Sequence, residues 1–87
     1  RHEFYLPGGF IVRGGNVCDA MYFVKRGEVL IIDENMGIEL CVETLYENDC
    51  FGEIKILMPR EAYRFSYVAR VESEVGVLKR DDLDEVF

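Results

Sequence analysis

The residues best able to do chemistry are Gly52 and Glu53, set between the turn Glu47-Asn48-Asp49 and the apolar segment Ile54 to Leu57. Gly52 has no Cβ, so backbone can approach a ligand closely there and adopt conformations closed to other residues. A short helical turn after Gly52 would leave N–H groups facing outward, and such groups suit an anion, typically a phosphate. Glu53 beside it accepts hydrogen bonds from sugar hydroxyls and repels a phosphate. One short loop thus offers phosphate-facing amides and a hydroxyl-facing carboxylate, as a sugar phosphate needs. Taken alone, Phe51-Gly52-Glu53 also fits a plain strand, turn and helix with a chance Gly-Glu. The rest of the chain has to decide.

The chain has 87 residues, enough for one small domain and one core. Nearly half are hydrophobic, with six Phe, five Tyr and no Trp, so a packed core is within reach and wholesale disorder is excluded. The formal net charge is -7, and the acidic excess clusters in Asp33-Glu34, Glu39 to Asp49 and Asp81 to Glu85. Nonspecific nucleic-acid binding needs a basic face, and a membrane-surface patch needs a polybasic one; this balance argues against both. A bound phosphate therefore needs a local solution rather than a global positive field. Cys18, Cys41 and Cys50 are an odd number with no CxxC spacing, and His2 is the only histidine. No zinc-type constellation can be assembled from them, and reduced thiols in a cytosolic setting are expected. His2 is expected at the surface or in packing, with no nucleophile suggested nearby. No apolar run reaches bilayer-spanning length and no signal peptide is present. The chain opens on Arg1 without a Met and stops on Phe87 in what looks like a starting helix, so it reads as a piece of something longer.

Around the Gly-Glu pair lie the elements that must position it. His2 to Leu6 is short and aromatic, and Pro7-Gly8-Gly9 turns the chain. Phe10-Ile11-Val12 is a brief strand closed by Gly14-Gly15-Asn16. Ala20 to Val24 is apolar enough to predict a strand buried on both faces. Lys25-Arg26-Gly27-Glu28 turns into the strand Glu28 to Ile32. Ile38 to Leu45 alternates, as a half-buried antiparallel strand does. Ile54 to Met58 predicts about one helical turn, stopped by Pro59. Phe65, Tyr67, Ala69 and Val71 alternate with Arg64, Ser66, Val68 and Arg70, which predicts a strand with an apolar inward face. Val75 to Leu78 is a last strand. Asp81 can cap a helix that places Leu83, Val86 and Phe87 on one side. Short strands separated by Gly-bearing turns point to an all-β sandwich or roll.

The order Pro7-Gly8, Gly15, Met21-Tyr22-Phe23-Val24, Gly27-Glu28-Val29, Leu45, Asp49, Phe51-Gly52-Glu53, Leu57, Leu78 and Asp82-Leu83 resembles the cyclic nucleotide-binding domain. That family spans kinase regulatory subunits, bacterial transcription factors and the cytosolic gates of ion channels. The likeness covers nearly the whole chain, and the ending Lys79 to Phe87 looks most like the channel members. The resemblance implies an antiparallel, jelly-roll-like β-roll of eight strands, mainly β, with a short cassette helix after Phe-Gly-Glu and the start of a C-terminal helix. It implies a single domain over residues 1–87 that lacks its lid helix after Phe87. It implies cAMP or cGMP as ligand, no metal and no catalysis. The partners it implies are the nucleotide and the rest of a channel polypeptide, a tetramer, with the fragment a cytoplasmic domain that does not itself insert in the membrane. The ligand-binding candidates are Phe51, Gly52, Glu53, Ile54, Lys55, Arg64 and Phe65. Carried over, Glu53 takes the ribose 2′-hydroxyl, and backbone N–H groups near Ile54 and Lys55 face the cyclic phosphate. Gly15 and Gly27 are turn glycines of the roll.

One departure from the family pattern matters. The family places an Arg at the start of the strand after the cassette, in a pattern of the type Arg-x-Ala-x-Val-x-Ala, where it makes a charge-assisted contact with the phosphate. Two registers compete here. If Arg64 fills that slot, Ser66 and Val68 follow in step, but the final Ala slot receives Arg70. If Ala69 fills the final slot, the inward face is Phe65, Tyr67 and Ala69, and Tyr63 takes the Arg slot. Side chains alternate with period two, so the registers exclude each other without a bulge. The hydrophobic pattern prefers the second, with Arg60, Arg64 from a bulge or Lys55 as substitute cation. Two functions follow from the resemblance: a ligand sensor attached to a channel, or a homology domain of a voltage-gated potassium channel whose pocket its own residues fill. A metal-dependent jelly-roll enzyme is a third class, opposed by one histidine and no clustered ligands.

Overall fold

The computed structural model describes residues 1–17, 19–34, 40–52 and 62–79, and among them it contains eight strands. These are β1 (His2–Tyr5), β2 (Phe10–Val12), β3 (Ala20–Arg26), β4 (Val29–Asp33), β5 (Leu40–Leu45), β6 (Cys50–Phe51), β7 (Ser66–Ala69) and β8 (Ser73–Lys79). They form two four-stranded sheets, ordered β1-β8-β3-β6 and β2-β7-β4-β5. All strand pairs are antiparallel. The chain crosses between the sheets repeatedly, so neither sheet can form before distant segments meet. This is the antiparallel roll that the Gly-spaced strands predict.

Alternation decides which side chains face inward. In β4 and β7, Val29 lies opposite Ala69 and Ile31 opposite Tyr67. Val12, Val24, Val29, Ile31, Leu45, Phe51 and Tyr63 form the buried core, with Ile11, Met21, Tyr22, Phe65 and Tyr67 packed against it. The short reach of His2 to Leu6 becomes strand β1, tied to β8 from His2 opposite Gly76 to Tyr5 opposite Ser73. His2 is at the surface, its Nδ1 2.8 Å from Glu74.

Three expectations need correction. The alternation over Ile38 to Leu45 does not give a half-buried face in β5: Leu40 and Val42 are exposed and only Leu45 is buried, because β5 is the edge strand of its sheet. Ala20 to Val24 is not buried on both faces: Ala20 and Val24 are buried, whereas Met21, Tyr22 and Phe23 are only half-buried. A strand in a two-sheet roll covers one face with the opposite sheet and leaves the other outward. Conversely, β7 buries more than its apolar inward face. Ser66 (1% exposed) and Val68 (7%) are buried as well. The Ser66 hydroxyl is satisfied on that side: it accepts the Gly14 N–H at 2.9 Å and donates to the Glu34 carboxylate. The expected helical turn over Ile54 to Met58 and the helix from Asp81 lie outside the described residues.

Candidate functional site

The segment leading to Gly52 is fixed by its turn. The Asp49 carboxylate accepts the Tyr46 N–H at 2.8 Å, and the Asp49 N–H donates back to the Tyr46 carbonyl at 3.0 Å. Asn48 closes the turn in the left-handed region at φ 78°, which asparagine tolerates better than most residues. The same turn is hooked onto β3: the Asn48 N–H donates to the Val24 carbonyl, and the Val24 N–H to the Asp49 carbonyl, both at 2.8 Å. The chain then enters β6, where Cys50 pairs with Phe23 and Phe51 with Tyr22.

Gly52 follows at φ 88°. A Cβ there would lie 2.6 Å from the Tyr63 hydroxyl and 2.7 Å from the Ala20 carbonyl oxygen. Both reasons for glycine therefore apply at once: the left-handed backbone and a close approach that leaves no room for a side chain.

The other side of the site is the segment before β7. Val17 bridges Ala62, the Tyr63 N–H donates to the Asn16 carbonyl at 2.9 Å, and the Gly15 N–H donates to the Tyr63 carbonyl at 2.7 Å. These bonds turn Tyr63 inward, where it is 4% exposed, and leave Arg64 exposed. The Arg64 guanidinium stands 5.2 Å from the centre of the Phe65 ring and makes no ion pair among the described residues. Arg70, at the other end of β7, binds Glu28 at 2.6 Å.

Between these two sides runs a stack of rings. Tyr22 and Phe51 are stacked with centres 4.9 Å apart, Phe51 and Tyr67 at 4.3 Å, and Tyr63 meets Tyr67 edge-on at 5.5 Å. Each such pair adds about 0.5–1.5 kcal/mol beyond its buried area.

The candidates from sequence are distributed as follows. Phe51 is a core residue, 4% exposed and sandwiched between two rings. Gly52 lines the seat made by Tyr63 and Ala20, Phe65 packs half-buried against the core, and Arg64 is outside. Glu53, Ile54 and Lys55 lie outside the described residues, as does Arg60. Tyr63 and Tyr67 face the core and Arg64 and Arg70 are exposed, while Ser66 and Val68, the inward pair of the other register, are buried as well. The contact between Tyr63 and Gly52 was not foreseeable locally, because the two residues are brought together only by closure of the roll.

An open cleft of about 340 Å³ lies at the opposite end of β3, lined by Phe4, Arg26, Glu72, Ser73 and Glu74. Its arginine already faces Glu74 at 3.8 Å. Among the described residues no cluster of His, Cys, Asp or Glu could hold a metal, and no helix is long and apolar enough to cross a membrane.

A family model described as the cyclic nucleotide-binding domain matches residues 2–87. Cyclic nucleotide-gated channel beta-3 of Canis lupus familiaris is 38% identical over 60 residues, covering 69% of this chain and 8% of that protein. Potassium channel SKOR of Arabidopsis thaliana is 37% identical over 83 residues, covering 91% of this chain and 9% of that protein. The chain thus spans under a tenth of either channel. Among solved structures, the catabolite activator protein of Thermus thermophilus superposes with a TM-score of 0.87 at 25% identity, over 99% of this chain and 40% of that one.

Proposed function

The chain belongs to the cyclic nucleotide-binding domain family, and from that premise we propose that it is a sensor that takes cAMP or cGMP into the hollow of its roll. It passes the binding event to an attached cation channel, as the cytoplasmic part of a tetramer. Backbone N–H groups following Gly52 face the cyclic phosphate, and Glu53 accepts the ribose 2′-hydroxyl. Arg64 supplies the counter-charge, and Phe65 offers a face to the base. The domain itself catalyses nothing and needs no metal.

The observation that carries this reading is Arg64. In a chain with 17 acidic and 10 basic residues, this guanidinium has no carboxylate partner among the described residues. It is adjacent in sequence to the side chain that touches Gly52. A guanidinium with no carboxylate partner among the described residues is suited to a bidentate contact with an anion. A local positive group is also what the overall charge of -7 demands of a phosphate site.

A second reading is supported by the rings. Tyr22, Phe51, Tyr67 and Tyr63 form a continuous run of ring contacts, which fits a homology domain of a voltage-gated potassium channel whose pocket its own residues occupy. Calorimetric titration of the intact protein with cAMP and with cGMP separates the two. The sensor gives a saturable one-site heat that Glu53→Ala and Arg64→Glu each abolish or weaken about tenfold or more. The absence of heat with both nucleotides would establish the homology-domain reading instead.

A further inference from the structure

We propose that the free edge of β1 docks an extended segment of a partner polypeptide, one that carries a lysine or arginine. The proposal goes beyond nucleotide sensing and does not depend on it. Among the described residues the two sheets end in four edge strands, β1, β6, β2 and β5. Three of these are built in ways that discourage a further strand from pairing. β6 is only two residues long. β2 and β5 each carry an extra residue, Ile11 and Val42, where the register shifts against β7 and β4. β1 has neither device: His2 to Tyr5 runs against Gly76 to Ser73 in one unbroken register. Its backbone is half committed. The Val77 N–H donates to the Arg1 carbonyl at 2.7 Å, so by the alternation of an antiparallel ladder Glu3 and Tyr5 direct their N–H and C=O groups at β8. His2 and Phe4 direct theirs to the open side.

The side chains say what such a strand must bring. Phe4 is paired with Glu74, whose neighbours Ser73 and Val75 are buried, so Phe4 and Glu74 share the outward face of the sheet. Phe4 is 73% exposed, and Leu6, just past the strand, 72%. The cleft beside Phe4 has Arg26, Glu72, Ser73 and Glu74 as its other walls. Glu74 is held by His2 at 2.8 Å and faces Arg26 at 3.8 Å. Glu72 is exposed and has no ion pair among the described residues. A strand added to His2 and Phe4 sets one of its side chains beside the Phe4 ring, on the outward face. A cation at that position lies against the ring and extends over it towards Glu72. A carboxylate there would meet two others. The same charges oppose a second copy of this chain as the occupant, because antiparallel pairing of two β1 strands puts both copies' Glu72 and Glu74 on one face of the joined sheet.

The test follows the backbone amide resonances of the isotope-labelled intact protein, without nucleotide, during titration with two acetylated and amidated peptides. One is Thr-Val-Lys-Val-Thr, and the other has Glu in place of its Lys. The lysine peptide should give saturable shifts at His2 to Tyr5 and at Glu72 to Glu74, at about millimolar concentration for so short a strand. The glutamate peptide should bind at least about tenfold more weakly. Glu72→Lys, a change at an exposed position, should reverse that preference. Phe4→Thr keeps the edge backbone and removes the ring, and should weaken the lysine peptide about two- to fivefold. Absence of shifts at β1 with both peptides overturns the proposal, as do shifts confined to β5 or β6. A preference for lysine that survives Glu72→Lys overturns it too.

Discussion

The two ends of β7 are built from the same parts and put them to different uses. At one end, Gly27 turns left-handed at φ 95°, and a Cβ there would run into the Ser73 side chain and lie 2.8 Å from the Glu72 carbonyl. Ser73 is buried and donates to the Val71 carbonyl at 2.8 Å. Arg70 closes that end by pairing with Glu28, and its N–H donates to the Glu28 carbonyl at 2.9 Å. At the other end, Gly52 also turns left-handed and is also crowded, but its neighbour is the hydroxyl of a tyrosine. The arginine there, Arg64, lies over a ring and holds no carboxylate among the described residues. The Gly27 end is a joint whose charge is already committed. At the Gly52 end no carboxylate among the described residues has claimed the guanidinium. A glycine in a strand-spaced sequence therefore says that the backbone is special, and only its neighbours say whether the reason is the fold or the site.

The largest effect is expected from the rings. Phe51→Ala removes the middle of the stack at the Gly52 end and should cost roughly 3–5 kcal/mol in urea unfolding. A loss below about 1 kcal/mol would mean the stack does not hold that end together. The paired changes Gly27→Ala and Gly52→Ala come next. Each combines a left-handed backbone with a blocked Cβ, so each should cost about 2–4 kcal/mol by denaturant titration. They should differ in nucleotide affinity: the folded fraction of Gly27→Ala binds normally, and Gly52→Ala does not. Equal losses in both would erase the distinction between joint and site.

The two arginines sharpen it further. Arg64→Glu should leave stability unchanged and lower nucleotide affinity about ten- to hundredfold, equivalent to roughly 1.5–3 kcal/mol. Arg70→Glu should do the reverse, with affinity intact and stability reduced by up to about 1 kcal/mol, as expected for a surface pair. Ser66→Ala should cost a similar amount, about 1 kcal/mol, from the lost bonds to Gly14 and Glu34. A thermal melt that does not move would show that those bonds add nothing to holding β7.

Much of the scaffold could be read from alternation and turn residues. The existence of strands β3, β4, β5 and β8 follows from apolar runs bounded by glycine or charged turns, but burial is a tertiary matter: in β5, at the edge of its sheet, Leu40 and Val42 stay exposed. β1 and β6 were harder. β1 is four residues long and β6 two, too short to show a period, and both exist because β8 and β3 offer them an edge. The two competing registers of β7 had one physical cause. Ser66 and Val68 are buried on the face opposite Tyr67 and Ala69, so neither face is plainly polar and the pattern loses its power to choose. The contact of Tyr63 with Gly52 and the bond of Ser66 to Glu34 left no trace in sequence. They join segments separated along the chain, and nothing local in a tyrosine or serine announces such a partner.

Hydrogen exchange along the backbone, with and without saturating cAMP or cGMP, tests the central claim most directly, because it reports where a ligand sits as well as whether it binds. Nucleotide should slow exchange from Gly52 onward and at Tyr63 to Phe65, with the amides around Gly27 and Arg70 unchanged. Exchange that is identical with and without nucleotide, or protection that appears at the Gly27 end instead, would contradict it.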